Sequence, residues 1–124
     1  MPVLRMFAPL FAVALVIANP VRAQDAADGK HLFQTYCSVC HTDKPGRNFV
    51  GPSLFGVINR PAGEAPGFHY STANRQSGLT WDPTTLDRYL TAPRKLVPGT
   101  LMTFPGLPDP AKRADVIAYL KTLR

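Results

Sequence analysis

Cys37-Ser38-Val39-Cys40-His41 is the stretch that decides how this chain folds. Two thiols three residues apart on one helical turn face the same way, so both can form thioether bonds to one porphyrin. The adjacent imidazole of His41 is then placed under the iron as a proximal ligand. Cys-x-x-Cys-His is the attachment pattern of a c-type haem. The turn closes a helical stripe, because Gly29, Leu32, Phe33, Tyr36, Cys37 and Cys40 recur at steps of three and four. Asp28 is the expected cap of that helix, which is expected to run to about Cys40.

The residues ahead of this helix predict a leader. Arg5 gives a basic start, Met6 to Ala18 are apolar apart from Pro9, and Asn19-Pro20 break the run before Val21-Arg22-Ala23. The apolar run is shorter than the roughly 20 residues a bilayer span wants. It suits the apolar region of a secretory signal, about 7–15 residues, ending in a small residue at the cleavage site. An uncleaved membrane anchor is the alternative. The expected division is a cleaved signal at 1–23 and one domain at 24–124, starting at Gln24. Removing 1–23, which carries Arg5 and Arg22 and no acid, lowers the formal charge from +6 to +4. It also leaves Met102 as the one methionine. About 100 residues make one domain with a small core, which a buried porphyrin would enlarge. The modest positive charge fits weak docking to acidic protein surfaces; nucleic acid would call for denser basic clusters.

Two cysteines in an exported chain would ordinarily form one disulfide. A Cys-x-x-Cys loop is too small to staple a domain, which leaves redox exchange, metal or haem. A thioredoxin-type site needs a βαβ context, and no strand–helix alternation appears. Zinc would need further ligands at fixed spacing, and His31 and His69 offer no second pair. Haem attachment is what remains.

The rest of the chain reads as all-α, three or four helices joined by long, proline-rich loops. Thr42 to Gly67 shows no sustained period. Ser71 is placed to cap a short helix through Gln76, ended by Gly78. Asp82-Pro83 pairs a cap with proline at the first helical position, and Leu86, Tyr89 and Leu90 face inward until Pro93 stops the helix. Asp109-Pro110 repeats that device before Val116, Ile117, Leu120 and Leu123. Loops this long count against a compact domain unless they wrap a flat, apolar cofactor. Five Phe, four Tyr and one Trp beyond the leader are enough to line it.

Iron held by His41 needs a second ligand from a distant point in the chain. Met102 follows the turn Pro98-Gly99-Thr100 and precedes Phe104-Pro105-Gly106. A lone methionine more often fills a core gap, yet a neutral thioether favours ferrous iron and raises its potential. His31 beside the attachment turn, His69 in a loop and the lysines are the competitors. Both histidines read as surface or internally satisfied residues.

From about Asp28 to its end the chain resembles class I cytochrome c, the mitochondrial and soluble bacterial type. The resemblance lies in CSVCH, GPSLFGVINRPAG, APGFHYSTANRQSGLTW, PGTLMTFPG and RADVIAYLK, in that order. It implies the cytochrome c fold around one haem c, with thioethers to Cys37 and Cys40 and axial ligation by His41 and Met102. It further implies that the Pro52 carbonyl accepts a hydrogen bond from His41, fixing the ring. Arg60, Tyr70 and Trp81 match residues that bond or neutralise the haem propionates. Asn74, Tyr89 and Thr100 match a polar cluster near the methionine, and Phe104 belongs with the cofactor-binding set. Gly29 and Phe33, with Tyr119 and Leu120, match the tight crossing of first and last helices. Arg60 could otherwise be a solvated loop cation, but buried propionates need a counter-charge.

With both axial positions filled, the resemblance implies a one-electron carrier rather than an enzyme, and the leader points to the periplasm. Its partners would be redox proteins, donor and acceptor, met transiently by a monomer near or at a membrane, with no role for nucleic acid. Where mitochondrial relatives ring the haem edge with lysines, this chain has Leu101 beside Met102, Tyr36 beside the attachment turn, and Pro108-Asp109. Arg94, Lys95, Lys44 and Arg47 keep the positive charge that is left. Docking is therefore expected to be more apolar and less steered by charge. The rivals are a haem peroxidase or ligand-binding haem protein, which needs an open sixth position, and an interaction module without haem.

Overall fold

The structure, a computed structural model, describes Leu15 and residues 22–124. Most of the expected leader therefore lies outside the described residues. Among those described, no helix is long and apolar enough to cross a membrane.

Helix α1 spans Ala26–Leu32. Its cap is Asp25, not Asp28: the Asp25 carboxylate accepts from the N–H groups of Ala27 and Asp28 at 2.8 and 3.1 Å. The backbone N–H of Asp25 is itself bonded to Asp115 at 2.9 Å. A contact ninety residues away thus decides which of two equally suitable carboxylates caps the helix. Asp28 lies instead in the first turn, where its charge suits the positive end of the helix dipole.

The helix does not continue regularly to Cys40. Phe33–Cys37 form a wider, π-helical turn, closed by Ser38 N–H donating to the Phe33 carbonyl at 2.9 Å. The hydroxyls of Thr35 and Ser38 bond back to His31 and Gln34 carbonyls at 2.9 and 2.6 Å, which helps bend a helix. Single π turns of this kind are found mostly at functional sites. The widened turn carries Tyr36 off the stripe that its spacing suggested, and it is 41% exposed while Phe33 is buried.

Four further helices follow: α2 (Thr72–Gln76), α3 (Pro83–Thr91), α4 (Pro93–Leu96) and α5 (Pro110–Leu120). Ser71, Asp82 and Asp109 cap α2, α3 and α5 as their positions predict, each accepting from first-turn N–H groups. The count of five among the described residues exceeds the three or four expected because of α4. Pro93 does not simply stop α3, which ends at Thr91; it opens a new single turn as its first residue. The long connections hold one isolated bridge, between Pro61 and Thr80, and no strand among the described residues.

Helices α1 and α5 pack against each other. A Cβ on Gly29 would stand 1.9 Å from the Asp115 carbonyl oxygen, so the two backbones touch. Phe33 and Tyr119 meet across this crossing with ring centroids 5.5 Å apart. Val116, Ile117 and Leu120 of α5 join Trp81, Leu86, Tyr89, Val97 and Leu107 in the core. Two polar residues of α5 are buried with them, Arg113 and Asp115. Asp115 takes the Asp25 N–H and pairs with Arg22 at 3.1 Å.

Candidate functional site

The turn Cys37–His41 is closed by Cys40 and His41 N–H groups bonding the Cys37 carbonyl at 3.1 and 2.9 Å. Both thiols are free and half-buried. Burial, with Cys40 nearby, pushes the Cys37 thiol up to about 11. A thiol built for exchange has its pKa lowered instead, so Cys37 is not tuned as an exchange nucleophile.

His41 is oriented from two sides. Its Nδ1 lies 2.7 Å from the Pro52 carbonyl oxygen. A carbonyl only accepts, so Nδ1 carries the proton and the lone pair of Nε2 is left for a metal. Burial lowers the His41 pKa against the opposing pull of Pro52, which favours the neutral ring that ligation requires. Gly51 N–H bonds the Cys40 carbonyl at 2.8 Å, and a Cβ on Gly51 would stand 2.5 Å from His41 Cε1. Nothing local in the sequence marks Gly51 for this task; its role follows from where the chain returns.

The second half of the site comes from α3 and the segment after α4. Tyr89 and Thr100 share a hydrogen bond of 3.2 Å, and Tyr89 Oη lies 3.9 Å from Met102 Sδ as a weak donor. Met102 N–H donates to Thr100 Oγ1 at 3.3 Å. Burial raises the Tyr89 pKa, so the phenol stays protonated. The third member of the expected cluster, Asn74, is bonded to neither Tyr89 nor Thr100; its Oδ1 is buried without a partner. Phe104 is half-buried and packs toward Tyr36, ring centroids 6.4 Å apart.

Arg60 and Trp81 lie side by side: Trp81 N–H donates to the Arg60 carbonyl at 2.9 Å, and the Trp81 ring packs tilted against Tyr89, centroids 4.7 Å apart. The Arg60 guanidinium donates to Phe55 and Ser53 carbonyls at 3.2 and 3.1 Å. Its Nε is buried and has no acceptor. Tyr70 accepts from Ala65 N–H at 3.0 Å and makes no hydrogen bond to Arg60 or Trp81 among the described residues. His31 and His69 are exposed. Sequence reasoning missed one contact beside the motif: Tyr119 donates to Asp43 at 2.6 Å, tying α5 to the turn just past His41.

These residues fit a haem c. Two free thiols share a turn with a neutral imidazole whose Nε2 is free, and a thioether comes from the opposite half of the chain. A buried guanidinium N–H without an acceptor is costly, and the carboxylates of a porphyrin would supply one.

The family model for cytochrome c matches residues 26–124. A cytochrome c2 of Rhodopila globiformis is 58% identical over 100 residues, covering 81% of this chain and 94% of the relative. A cytochrome c of Euglena viridis is 43% identical over 100 residues, covering 81% and 98%. Among solved structures, cytochrome cH from Methylobacterium extorquens superposes with a TM-score of 0.74 at 50% identity, covering 79% of this chain and 98% of that one.

Proposed function

Because this chain belongs to the cytochrome c family, whose members carry electrons and are not enzymes, we propose that it is an exported one-electron carrier of the periplasm. In this reading the leader at 1–23 is removed after Ala23, and the mature protein works as a monomer. One haem c is held by thioethers to Cys37 and Cys40, with His41 Nε2 and Met102 Sδ as axial ligands. When bound, the haem supplies the ferric–ferrous couple.

The observation that carries the reading is the 2.7 Å contact from His41 Nδ1 to the Pro52 carbonyl. It fixes the tautomer and aims Nε2 as a ligand, while Tyr89 and Thr100 steady Met102 from the other side. Arg60, with its unused Nε, offsets propionate charge; Tyr70, with its own O–H proton uncommitted, and Trp81 complete that edge. Asn74 and Phe104 line the methionine side. The chain's task is to keep this ligand set unchanged between the two oxidation states.

The surface around these residues supports an apolar docking face. Val39 is 72% exposed, Leu101 76%, Phe49 63% and Val50 66%, and Tyr36, just before the attachment turn, is exposed as well. Phe49 and Val50 directly precede Gly51, and Leu101 directly precedes Met102. Arg94 and Lys95 are exposed, whereas Lys44 is paired with Asp43 at 3.4 Å. The partners are redox proteins whose contact surface is apolar at its centre, meeting this chain over less than about 1,200 Å².

A redox titration with optical spectra on purified holoprotein tests the reading. A single one-electron wave and a far-red methionine-to-ferric-iron band are expected at neutral pH. Absence of that band, with rapid cyanide or peroxide binding, would establish the enzyme alternative. A colourless product after co-expression with a haem-attachment system would establish the haem-free one.

A further inference from the structure

Apart from the contacts of Met102 itself with Thr100 and Tyr89, the segment that carries the sulfur is hydrogen-bonded at its ends rather than along its length. Among the described residues no backbone–backbone hydrogen bond involves positions 101–106. Leu101, Thr103 and Pro105 are exposed, and only Met102, Phe104 and Gly106 turn partly inward. Upstream, the segment leaves the buried anchors Pro93 and Val97, with Thr100 N–H bonded to the Val97 carbonyl at 3.0 Å.

Downstream the hold is denser. Leu107 N–H donates to the Leu90 carbonyl of α3 at 2.7 Å. Gly106, at φ +117°, passes so close to α3 that a Cβ would stand 2.4 Å from the Thr91 carbonyl oxygen. Arg113 of α5, 8% exposed, completes the closure. Its Nη1 donates to the carbonyls of Leu107 and Pro108, both at 2.8 Å. Its Nε donates to Asp87 Oδ1 of α3 at 2.8 Å. One guanidinium therefore joins three pieces: α3, α5 and the outgoing end of the methionine segment.

We infer that Arg113 is a positioning residue for Met102, closing the far end of the segment that carries the sulfur and setting how readily that segment opens. The inference rests on the proposed ligation by Met102. A buried arginine is expensive to desolvate and persists only with its donors satisfied. Here two of the three bonds go to the backbone carbonyls of Leu107 and Pro108, at the outgoing end of the segment. Lysine has one donor nitrogen and cannot hold the two carbonyls and Asp87 from the separate positions that Nη1 and Nε occupy. Replacing Arg113 by lysine should free the segment to swing away from its ends while the α1–α5 crossing and the attachment turn stay in place.

The test uses ferric holoprotein and imidazole, a small ligand that takes the methionine's place only when the segment opens. The limiting rate of imidazole entry should rise about tenfold in Arg113→Lys, equivalent to about 1.4 kcal/mol. Phe33→Leu, which loosens the α1–α5 crossing away from the segment, is the control: its urea midpoint should fall at least as far while its entry rate changes by less than about twofold. Entry in Arg113→Lys no faster than in Phe33→Leu would make Arg113 a structural residue only and overturn the inference. A parent protein lacking the far-red methionine band would overturn the ligation and this inference together, which separates the two failures. If Arg113→Lys gives no coloured protein, Asp87→Asn decides: it keeps both carbonyl bonds and weakens the third, so entry should rise about threefold, and an unchanged rate overturns the inference.

Discussion

Gly51 lies flat against the imidazole of His41, where a Cβ would stand 2.5 Å from Cε1 and 2.7 Å from Nδ1. The same short stretch holds the ring at its edge, through the Pro52 carbonyl 2.7 Å from Nδ1. Gly51→Ala must therefore tilt the ring or push residues 51–52 away. A loss of about 2 kcal/mol in stability is expected, in the range of an overpacked core site, with a shifted Soret spectrum and potential. Gly56→Ala is the comparison: at φ +72° it is strained but has nothing within 4 Å of its Cβ. It should cost about 1 kcal/mol and leave the spectrum alone. Equal spectra for Gly51→Ala and parent would show that His41 does not need this contact.

Met102→Ala should open the sixth position. The thioether is gone, and no other side chain is placed by the Tyr89–Thr100 pair to replace it. The far-red band should vanish, the potential should fall, and peroxidase-like turnover should appear. The fall is read directly in energy, about 59 mV for each 1.4 kcal/mol of one-electron transfer. A variant with the parent's spectrum and potential would remove Met102 from the ligand set.

Much of this is legible in the sequence, and the exceptions share a cause. Caps at Ser71, Asp82 and Asp109 were legible because capping chemistry is local. The attachment motif was legible for the same reason. Asp25 displaced Asp28 as the first cap through a bond to Asp115, a partner ninety residues away. Tyr36 left its stripe because the helix widens at Phe33, which no spacing rule reports. Arg113 and Asp115 are charged residues of α5, yet both are buried because backbone groups from distant segments meet them there. Gly51 became part of the site only when the loop returned to His41. Residues whose role depends on one remote contact leave no pattern in the sequence around them.

Gly29→Ala is expected to be among the most damaging single changes outside the site. Its Cβ would meet backbone, with the Asp115 carbonyl oxygen at 1.9 Å and carbonyl carbon at 2.6 Å, and backbone cannot step aside as a side chain can. Alanine has the better helix propensity by about 1 kcal/mol, so any net loss measures the crossing itself. A net loss of about 3 kcal/mol or more is expected, seen as a lower urea midpoint with the iron ligands unchanged. A variant as stable as the parent would show that α1 and α5 are not in contact at this point.

Tyr119→Phe should reveal a link between α5 and the attachment turn that depends on pH. Burial first, and the bonded Asp43 carboxylate second, push the Tyr119 phenol up to about 12. An unfolded tyrosine titrates near 10, so the contribution is fully present below about pH 10 and is lost as pH rises toward 12. At pH 7 the variant should be less stable by about 1.5 kcal/mol, typical of a hydrogen bond to a charged group. At pH 11 the gap should be smaller. Denaturant midpoints of both proteins at the two pH values check this, and a gap that widens at high pH would contradict it.

The apolar surface around the site predicts weak salt dependence. Val39, Phe49, Val50 and Leu101 are exposed and uncharged, and Lys44 is offset by Asp43, which leaves Arg47 and, on α4, Arg94 and Lys95 as the exposed cations of the set named above. Raising ionic strength from 0.01 to 0.1 M shortens the Debye length from about 30 to about 10 Å. Electron transfer to membranes of the host cell should slow by less than about threefold over that range, because steering by charge contributes little of the encounter rate. Leu101→Lys restores one positive charge beside Met102 and should steepen the dependence if the partner is acidic at its rim. It should lower the rate at every salt concentration if the partner's contact surface is apolar, which is the outcome expected here. A parent rate that collapses with added salt would mean that charge, and not the apolar face, brings the partner in.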